Sequence, residues 1–277
     1  MNYIDEIKLK TNIKENFEMK NSKFHKNRLL ISDNFVIKLY NNKRNYENEI
    51  YCYENLKNEK MITELIFKGN IDDLYFIVLK RLNACTLFKK WKALKTDEKN
   101  IIIENIAEDI KKINMLKTDN NNYEFKKQIL LYYKQNLKEN KIDEELKEYI
   151  VNVFTINFDK MEDKAKRKLI YSDFHFNNIL IDNNNNIFFI DFEEINMAPL
   201  ELQLQPIIHM CDNPSIEANY SDKVIPEDYN MVVPKIMDTY KELKTCNFKF
   251  INMYNMLYDW RAVNHNKANK EILKKYL

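Results

Sequence analysis

The sequence predicts an α+β protein in two lobes, a small β-rich amino-terminal lobe over residues 1–80 and a larger, mostly helical carboxy-terminal lobe over residues 81–277. Three observations predict it. Short apolar runs of strand length crowd the first eighty residues. Helical spacing of apolar residues takes over from TLFKKW (86–91) onward. Within the helical part, KLIYS (168–172), ILID (179–182) and IFFID (187–191) form a strand–loop–strand unit that carries polar residues between apolar strands.

Punctuation comes mainly from Asn and Asp, because glycine occurs once, at Gly69, and the prolines are Pro199, Pro206, Pro214, Pro226 and Pro234. RLLISDNFVIKLY (28–40) reads as a hairpin around a Ser-Asp-Asn turn. Tyr46, Ile50, Tyr53 and Leu56 then recur at helical spacing, which predicts a helix over 44–58. TELIFKGN (63–70) and LYFIVLKRL (74–82) read as two more strands. Helices are predicted over 97–116, 123–139, 143–158, 199–211, 227–245 and 248–275, and no internal repeat interrupts them.

A chain of 277 residues with 45% hydrophobic content can bury a substantial core. Its 44 basic and 42 acidic residues are interspersed, the pattern of solvated helix faces, so no nucleic-acid partner is expected. No apolar run approaches the roughly 18 residues of a membrane span, and MNYIDEIKLK carries acids where a signal peptide would be apolar. The expectation is a cytoplasmic protein without a membrane partner. Cys52, Cys85, Cys211 and Cys246 lie far apart with no CxxC pair, which predicts buried thiols and no disulfide framework or zinc knuckle. His209 and Cys211 in IIHMCD are two metal-ligand types without further partners, a weak signal. The Asn-rich stretches NNKRNYEN (41–48) and TDNNNYEF (118–125) are expected to hold exposed turns.

The strand–loop–strand unit brings Asp173, Asn178 and Asp191 toward one place. Hard oxygen ligands of this kind suit magnesium, which fills its remaining positions with water and phosphate oxygens. The spacing D-x-x-x-x-N from Asp173 to Asn178 matches a kinase catalytic loop, in which the Asp takes the proton of the attacking hydroxyl and the Asn holds a metal. Asp191, closing a strand, stands where a magnesium-chelating acid belongs. The small lobe adds an independent signal: VIKLY places Lys38 on a strand, from which it could reach phosphates, and the following helix offers Glu49 as its partner. Each piece alone is common, and their order along the chain is what makes them specific.

These segments resemble the aminoglycoside phosphotransferase and choline kinase family, which has a protein-kinase-like fold. LIYSDFHFNNIL is similar to the family's H-G-D-x-H-x-x-N-I-L, and IFFIDFEE to its I-D-F/W-E strand end. YENEIYCYENL, FIVLKRLNACTL, DIKKINML and DFEEINMAPLELQL resemble its small-lobe helix, its inter-lobe hinge, the helix before the catalytic loop and the segment after the metal Asp. The resemblance spans roughly residues 28–210. It implies Asp173 as catalytic base, Asn178 and Asp191 as magnesium ligands, Lys38 as the phosphate-binding lysine and Glu49 as its partner. Backbone groups from Leu79, Lys80 and Arg81 to Leu82 would hold the adenine of ATP, with GTP as the other candidate donor. His175 would brace the loop or approach the nucleotide phosphates.

Two departures stand out. The family's H-G-D is Y-S-D here, so Tyr171 replaces a His and Ser172 a Gly. KNRLLISDNFVIKL (26–39), read as the nucleotide-covering hairpin, has no glycine, and its Ser32-Asp33-Asn34 turn predicts a weaker grip on nucleotide.

The phosphate acceptor is expected to be a small molecule with a hydroxyl group, such as an aminoglycoside, choline or a related amino alcohol or sugar. Glu193, Glu194 and Glu201 could meet a cationic acceptor, although an acid at a helix start is also stabilised by the helix dipole. Tyr258, Asp259 and Trp260 could form an aromatic cage, against the more common reading of core aromatics. The alternative is a weak or inactive pseudokinase acting as a nucleotide-binding or scaffold module. A protein kinase is disfavoured because no A-P-E segment or long activation loop follows Asp191.

Overall fold

The computed structural model describes residues 3–20, 28–117, 125–160, 167–214 and 224–276. The chain divides into two compact units, the first made of residues 1–105 and 176–195, the second of residues 106–175 and 196–277.

The first unit is built on a five-stranded antiparallel sheet in the order β1-β2-β3-β5-β4, from β1 (Glu18–Lys20), β2 (Arg28–Ile31), β3 (Phe35–Tyr40), β4 (Leu65–Ile71) and β5 (Leu74–Lys80). Strand β3 is central, and its run of buried residues from Ile37 to Tyr40 reflects cover on both faces. One face meets a core of Ile7, Ile13, Leu30, Ile37, Leu39, Phe76 and Val78, closed by α1 (Tyr3–Thr11). The strand's period of two turns Lys38 and Tyr40 to the other face. There lies α2 (Lys43–Asn55), whose amino terminus is capped by the Asn42 side chain accepting from the Arg44 N–H. Gly69 sits opposite Phe76 under the stacked rings of Phe67 and Phe76, where an added Cβ would come within 3.1 Å of the Phe67 ring.

A second sheet, β6-β8-β9, joins β6 (Ala84–Thr86) to β8 (Ile179–Asp182) and β9 (Ile187–Phe189). The turn between β8 and β9 needs no glycine. Asn185 takes the left-handed conformation at φ 63°, and the Asp182 carboxylate accepts from the backbone N–H groups of Asn184 and Asn186. Short α3 (Leu87–Trp91) packs Trp91 edge-on against Phe176.

The second unit is mostly helical. It contains the later part of α4 (Thr96–Met115), then α5 (Phe125–Glu139), α6 (Glu144–Phe158), α7 (Glu201–Asp212), α8 (Val232–Thr239) and α9 (Phe248–Asn264). Stacked Tyr133 and Phe154 tie α5 to α6 at 3.8 Å, and Asn136 donates to the Leu257 carbonyl of α9. A two-stranded sheet pairs β7 (Arg167–Tyr171) with β10 (Ile195–Pro199).

Several expectations are corrected. Strand β1 and helix α1 were not read from the sequence, and β6 and β10 fall where helix or loop was expected. The helix expected over 227–245 is α8 flanked by 3-10 turns, since Pro226 opens the first and Tyr240, at ψ 77°, ends the helix. The helix expected over 248–275 stops at Asn264. Asn266 at φ 56° turns the chain, and Lys267 N–H closes back on the Ala262 carbonyl. Cys52, Cys211 and Cys246 are buried as expected, whereas Cys85 is exposed. Most of the turn expected at 118–125 lies outside the described residues. No helix among the described residues is long and apolar enough to cross a membrane.

Candidate active site

Lys38 leaves β3 on the α2 face, nearly buried, and its ammonium meets three carboxylates: Glu193 Oε1 at 2.5 Å, Asp191 Oδ1 at 2.7 Å and Glu49 Oε2 at 2.8 Å. Burial alone would pull the ammonium's pKa down, but the charges of Glu49, Asp191 and Glu193 outweigh it and hold the group well above its ordinary value. Glu49 shows the other side of this balance. Burial raises its carboxyl from 4.5 to about 7, with Lys38 opposing the rise and Asp191 and Glu193 adding to it. The expected Lys38–Glu49 pair and Asp191 are thus brought together from three separate segments of the first unit.

Asp191 follows β9 and adopts φ 65°. One residue earlier, Ile190 N–H donates to the Asn178 carbonyl at 3.0 Å, which sets buried Asn178 beside the strand end that carries Asp191. Among the described residues, the grouping of three metal-capable ligands is Glu49, Asp191 and Glu193, whose ligand atoms lie within 4.8 Å of one another. These donors are all oxygen, as are those of Asn178, and such a set fits magnesium or another hard cation. Glu193 was undecided in the sequence. It belongs to this cluster, and Asn45 Nδ2 holds its second carboxylate oxygen at 2.9 Å.

The hinge segment is largely spoken for by the protein itself. Lys80 N–H donates to the Glu64 carbonyl, Lys80 C=O accepts from Thr63 Oγ1, and Arg81 N–H donates to the Asn34 carbonyl. Leu79 is buried in the sheet. The backbone of Leu82 makes no hydrogen bond among the described residues. The Arg81 guanidinium reaches the Ser32 carbonyl at 2.7 Å.

This arrangement corrects the reading of the Ser32-Asp33-Asn34 turn. It joins β2 to β3 and leans on the hinge, and its donors are already used: Ser32 N–H on the Phe35 carbonyl, Asn34 N–H and Nδ2 on the Glu15 carboxylate. The β1–β2 connection, residues 21–27, lies outside the described residues.

In the second unit, β7 ends at Tyr171, whose ring is fully buried edge-on to Phe174. The strand end is clamped by Gln203 of α7, which accepts from Tyr171 N–H at 3.0 Å and donates to the Tyr171 carbonyl at 3.2 Å. Asn114 of α4 donates to both Gln203 Oε1 and the Leu169 carbonyl. Tyr171 therefore fills space while amides hold the backbone two residues before Asp173. Asp173 is half-exposed, with His175 Nε2 at 3.7 Å from its carboxylate.

The remaining candidates resolve into structural roles. Asp259 is fully buried on His209 Nε2 and Tyr276 Oη, both at 2.8 Å, and on Lys275 Nζ at 3.0 Å. Trp260 is core and Tyr258 is exposed, so no aromatic cage forms. His209 is engaged by Asp259, and neither His209 nor Cys211 belongs to a grouping of three metal-capable ligands among the described residues. Glu201 accepts from the Asn247 N–H. Asn45, Asn48, Asn114 and Gln203 escaped the sequence reading. Their one local trace is amides placed among apolar helix neighbours, a pattern shared by many unremarkable helices.

No protein-family model matches the sequence, and no curated protein matches it. Solved structures do resemble it. The ADP-bound aminoglycoside phosphotransferase APH(2'')-Ib aligns at a TM-score of 0.67 and 16% identity, covering 99% of this chain and 95% of that one. The streptomycin–ATP ternary complex of APH(2'')-IIa gives the same TM-score and identity, covering 99% and 94%. The choline kinase LicA from Streptococcus pneumoniae gives 0.62 at 17% identity, covering 100% and 92%. The chain has the protein-kinase-like fold of the aminoglycoside phosphotransferases and choline kinase, as its sequence resemblance implies.

Proposed function

We propose that the chain is an ATP-dependent small-molecule kinase that transfers the γ-phosphoryl group to a substrate hydroxyl. The observation that carries this reading is the Lys38, Glu49 and Asp191 cluster, assembled from three segments in a fold whose solved examples include ADP- and ATP-bound phosphotransferases. Lys38 serves the phosphates, and Glu49 keeps it charged and oriented. Asp191 and Asn178 would hold magnesium, which when bound would supply positive charge against the phosphate oxygens. Asp173 orients the acceptor hydroxyl and takes its proton, with His175 beside it as a brace. Leu82, whose backbone has no other partner among the described residues, is the point of the hinge that reads the purine edge.

The acceptor class follows the solved relatives only coarsely: streptomycin and hygromycin B are bound in two of them, and a third is a choline kinase. The same chemistry suits this chain, a small hydroxyl compound, cationic or neutral, in the cytoplasm. A pseudokinase reading draws on the replaced Y-S-D motif and on the engaged N–H groups of Lys80 and Arg81.

Melting curves with MgATP, MgGTP and magnesium alone separate these readings, because a ligand that binds only the folded state stabilises it. The kinase reading expects a nucleotide-dependent rise in Tm that needs magnesium and is lost in Asp191→Asn, followed by phosphoryl transfer to one of a panel of aminoglycosides, choline and amino alcohols. A shift without turnover on that panel favours the pseudokinase. No shift at millimolar nucleotide refutes the kinase reading and leaves the scaffold form of the pseudokinase.

A further inference from the structure

A non-glycine residue at φ 65° pays for a crowded Cβ, and Asp191 holds that conformation at the end of β9. Strain of this kind persists where the flanking chain is held from both sides. On the amino-terminal side, Ile190 N–H is bonded to the Asn178 carbonyl. On the carboxy-terminal side the hold comes from α2. Asn48 Nδ2 donates to the Glu193 carbonyl at 2.7 Å and to the Ile195 carbonyl at 3.2 Å, and Asn45 Nδ2 takes the Glu193 carboxylate. Between these anchors Phe192 is fully buried, edge-on to Tyr53 of the same helix at 5.6 Å.

We infer that Asn48, assisted by Asn45, is a positioning residue for Asp191: the two amides of α2 latch residues 193–195 and so hold Asp191 in its left-handed conformation with its carboxylate on Lys38. The side-chain chemistry is specific. Two carbonyls converge on one nitrogen, and an amide NH2 supplies a hydrogen to each, which neither a carboxylate nor a hydroxyl can do. Glu49 follows Asn48 directly, so one helix sets both the acid partner of Lys38 and the segment that bears Asp191. The effect on nucleotide rests on the kinase reading, whereas the latch itself does not.

Asn48→Asp keeps the shape but places a carboxylate against two carbonyls, and Asn45→Ala removes the milder contact should the first variant fold poorly. Hydrogen exchange is measured on ligand-free protein over peptides covering 188–196, with β3 peptides as control. The latch expects exchange at 188–196 to speed up by about tenfold in Asn48→Asp and less in Asn45→Ala, with β3 unchanged. Unchanged exchange at 188–196 in both variants overturns it, whatever happens to nucleotide. The positioning role further expects the magnesium concentration needed for ADP binding to rise about fivefold or more in Asn48→Asp. If exchange rises while the magnesium requirement stays at the wild-type level, and Asp191→Asn still abolishes ADP binding, the contact is structural and the positioning role is overturned. A wild type that binds no MgADP overturns the kinase reading and the positioning role with it, and exchange alone then decides the latch.

Discussion

Two regions of the molecule hold a chemically important backbone segment in place, and they do so by different means. In the first unit, Lys38 is shared by Glu49, Asp191 and Glu193 inside a largely buried cluster that carries two more negative than positive charges when every group is ionised. In the second unit, the strand that leads to Asp173 is fastened by the neutral amides of Gln203 and Asn114, both buried and paired with backbone groups. Charges in low dielectric respond to protons and cations, while neutral amides bonded to the backbone respond to neither. The contrast suits the proposed division of labour, in which the first cluster would exchange partners on binding a magnesium nucleotide and the strand behind Asp173 would stay still.

The comparison can be tested from its largest expected effect downward. Asp173→Asn should lower kcat by about a hundredfold to ten-thousandfold, the range for removing a general base, while sparing nucleotide binding. Asp191→Asn should instead abolish the magnesium-dependent part of that binding. If steady-state kinetics and melting shifts move together in both variants, the separation of roles between the two regions fails. Gln203→Leu removes the bonds that its amide makes to the Tyr171 N–H and C=O in a fully buried place, which should cost about 3 kcal/mol in urea unfolding. That loss should be equal from about pH 5 to about pH 8, since no titrating group is removed. A loss that varied with pH would mean the amide clamp is coupled to charge after all.

The pH-dependent effect concerns Glu49. Its folded carboxyl, at about 7, keeps a proton that the unfolded chain, near 4.5, has released. This group's contribution to stability therefore falls as pH rises from about 4.5 to about 7 and is level above that. Glu49→Gln removes the titration. Relative to wild type, the variant should gain stability across that window, read as a pH-dependent difference in urea midpoints. A flat difference would show that the Glu49 carboxyl titrates normally and that the cluster is less charged-strained than its burial implies.

Much of the first sheet was legible because its signals are local. The Ser32–Asn34 turn, the period-two run around Lys38 and the helical spacing from Tyr46 to Leu56 each fit inside one element, and the structure has β2, β3 and α2 there. Strands β6 and β10 were not legible, because three or five residues become a strand only when a distant partner pairs with them. The same applies at the site. Lys38, Glu49, Asp173, Asn178 and Asp191 could be named from spacing and resemblance, whereas Asn48 bonds residues about 145 positions away and leaves no local pattern.

Elements with internal periodicity, the order of the candidate site residues and the fold class they imply could therefore be read along the chain. It took packing between segments to reveal that Glu193 joins Lys38, that the Ser32–Asn34 turn leans on the hinge with its donors already used, that Tyr258, Asp259 and Trp260 form no cage, and that Asp191 sits in a left-handed conformation between Asn178 and Asn48. The physical reason is common to all four. Hydrophobic periodicity repeats along the chain and can be counted, but a hydrogen bond or ion pair between segments depends on where folding brings each donor and acceptor, and no neighbour in sequence records that.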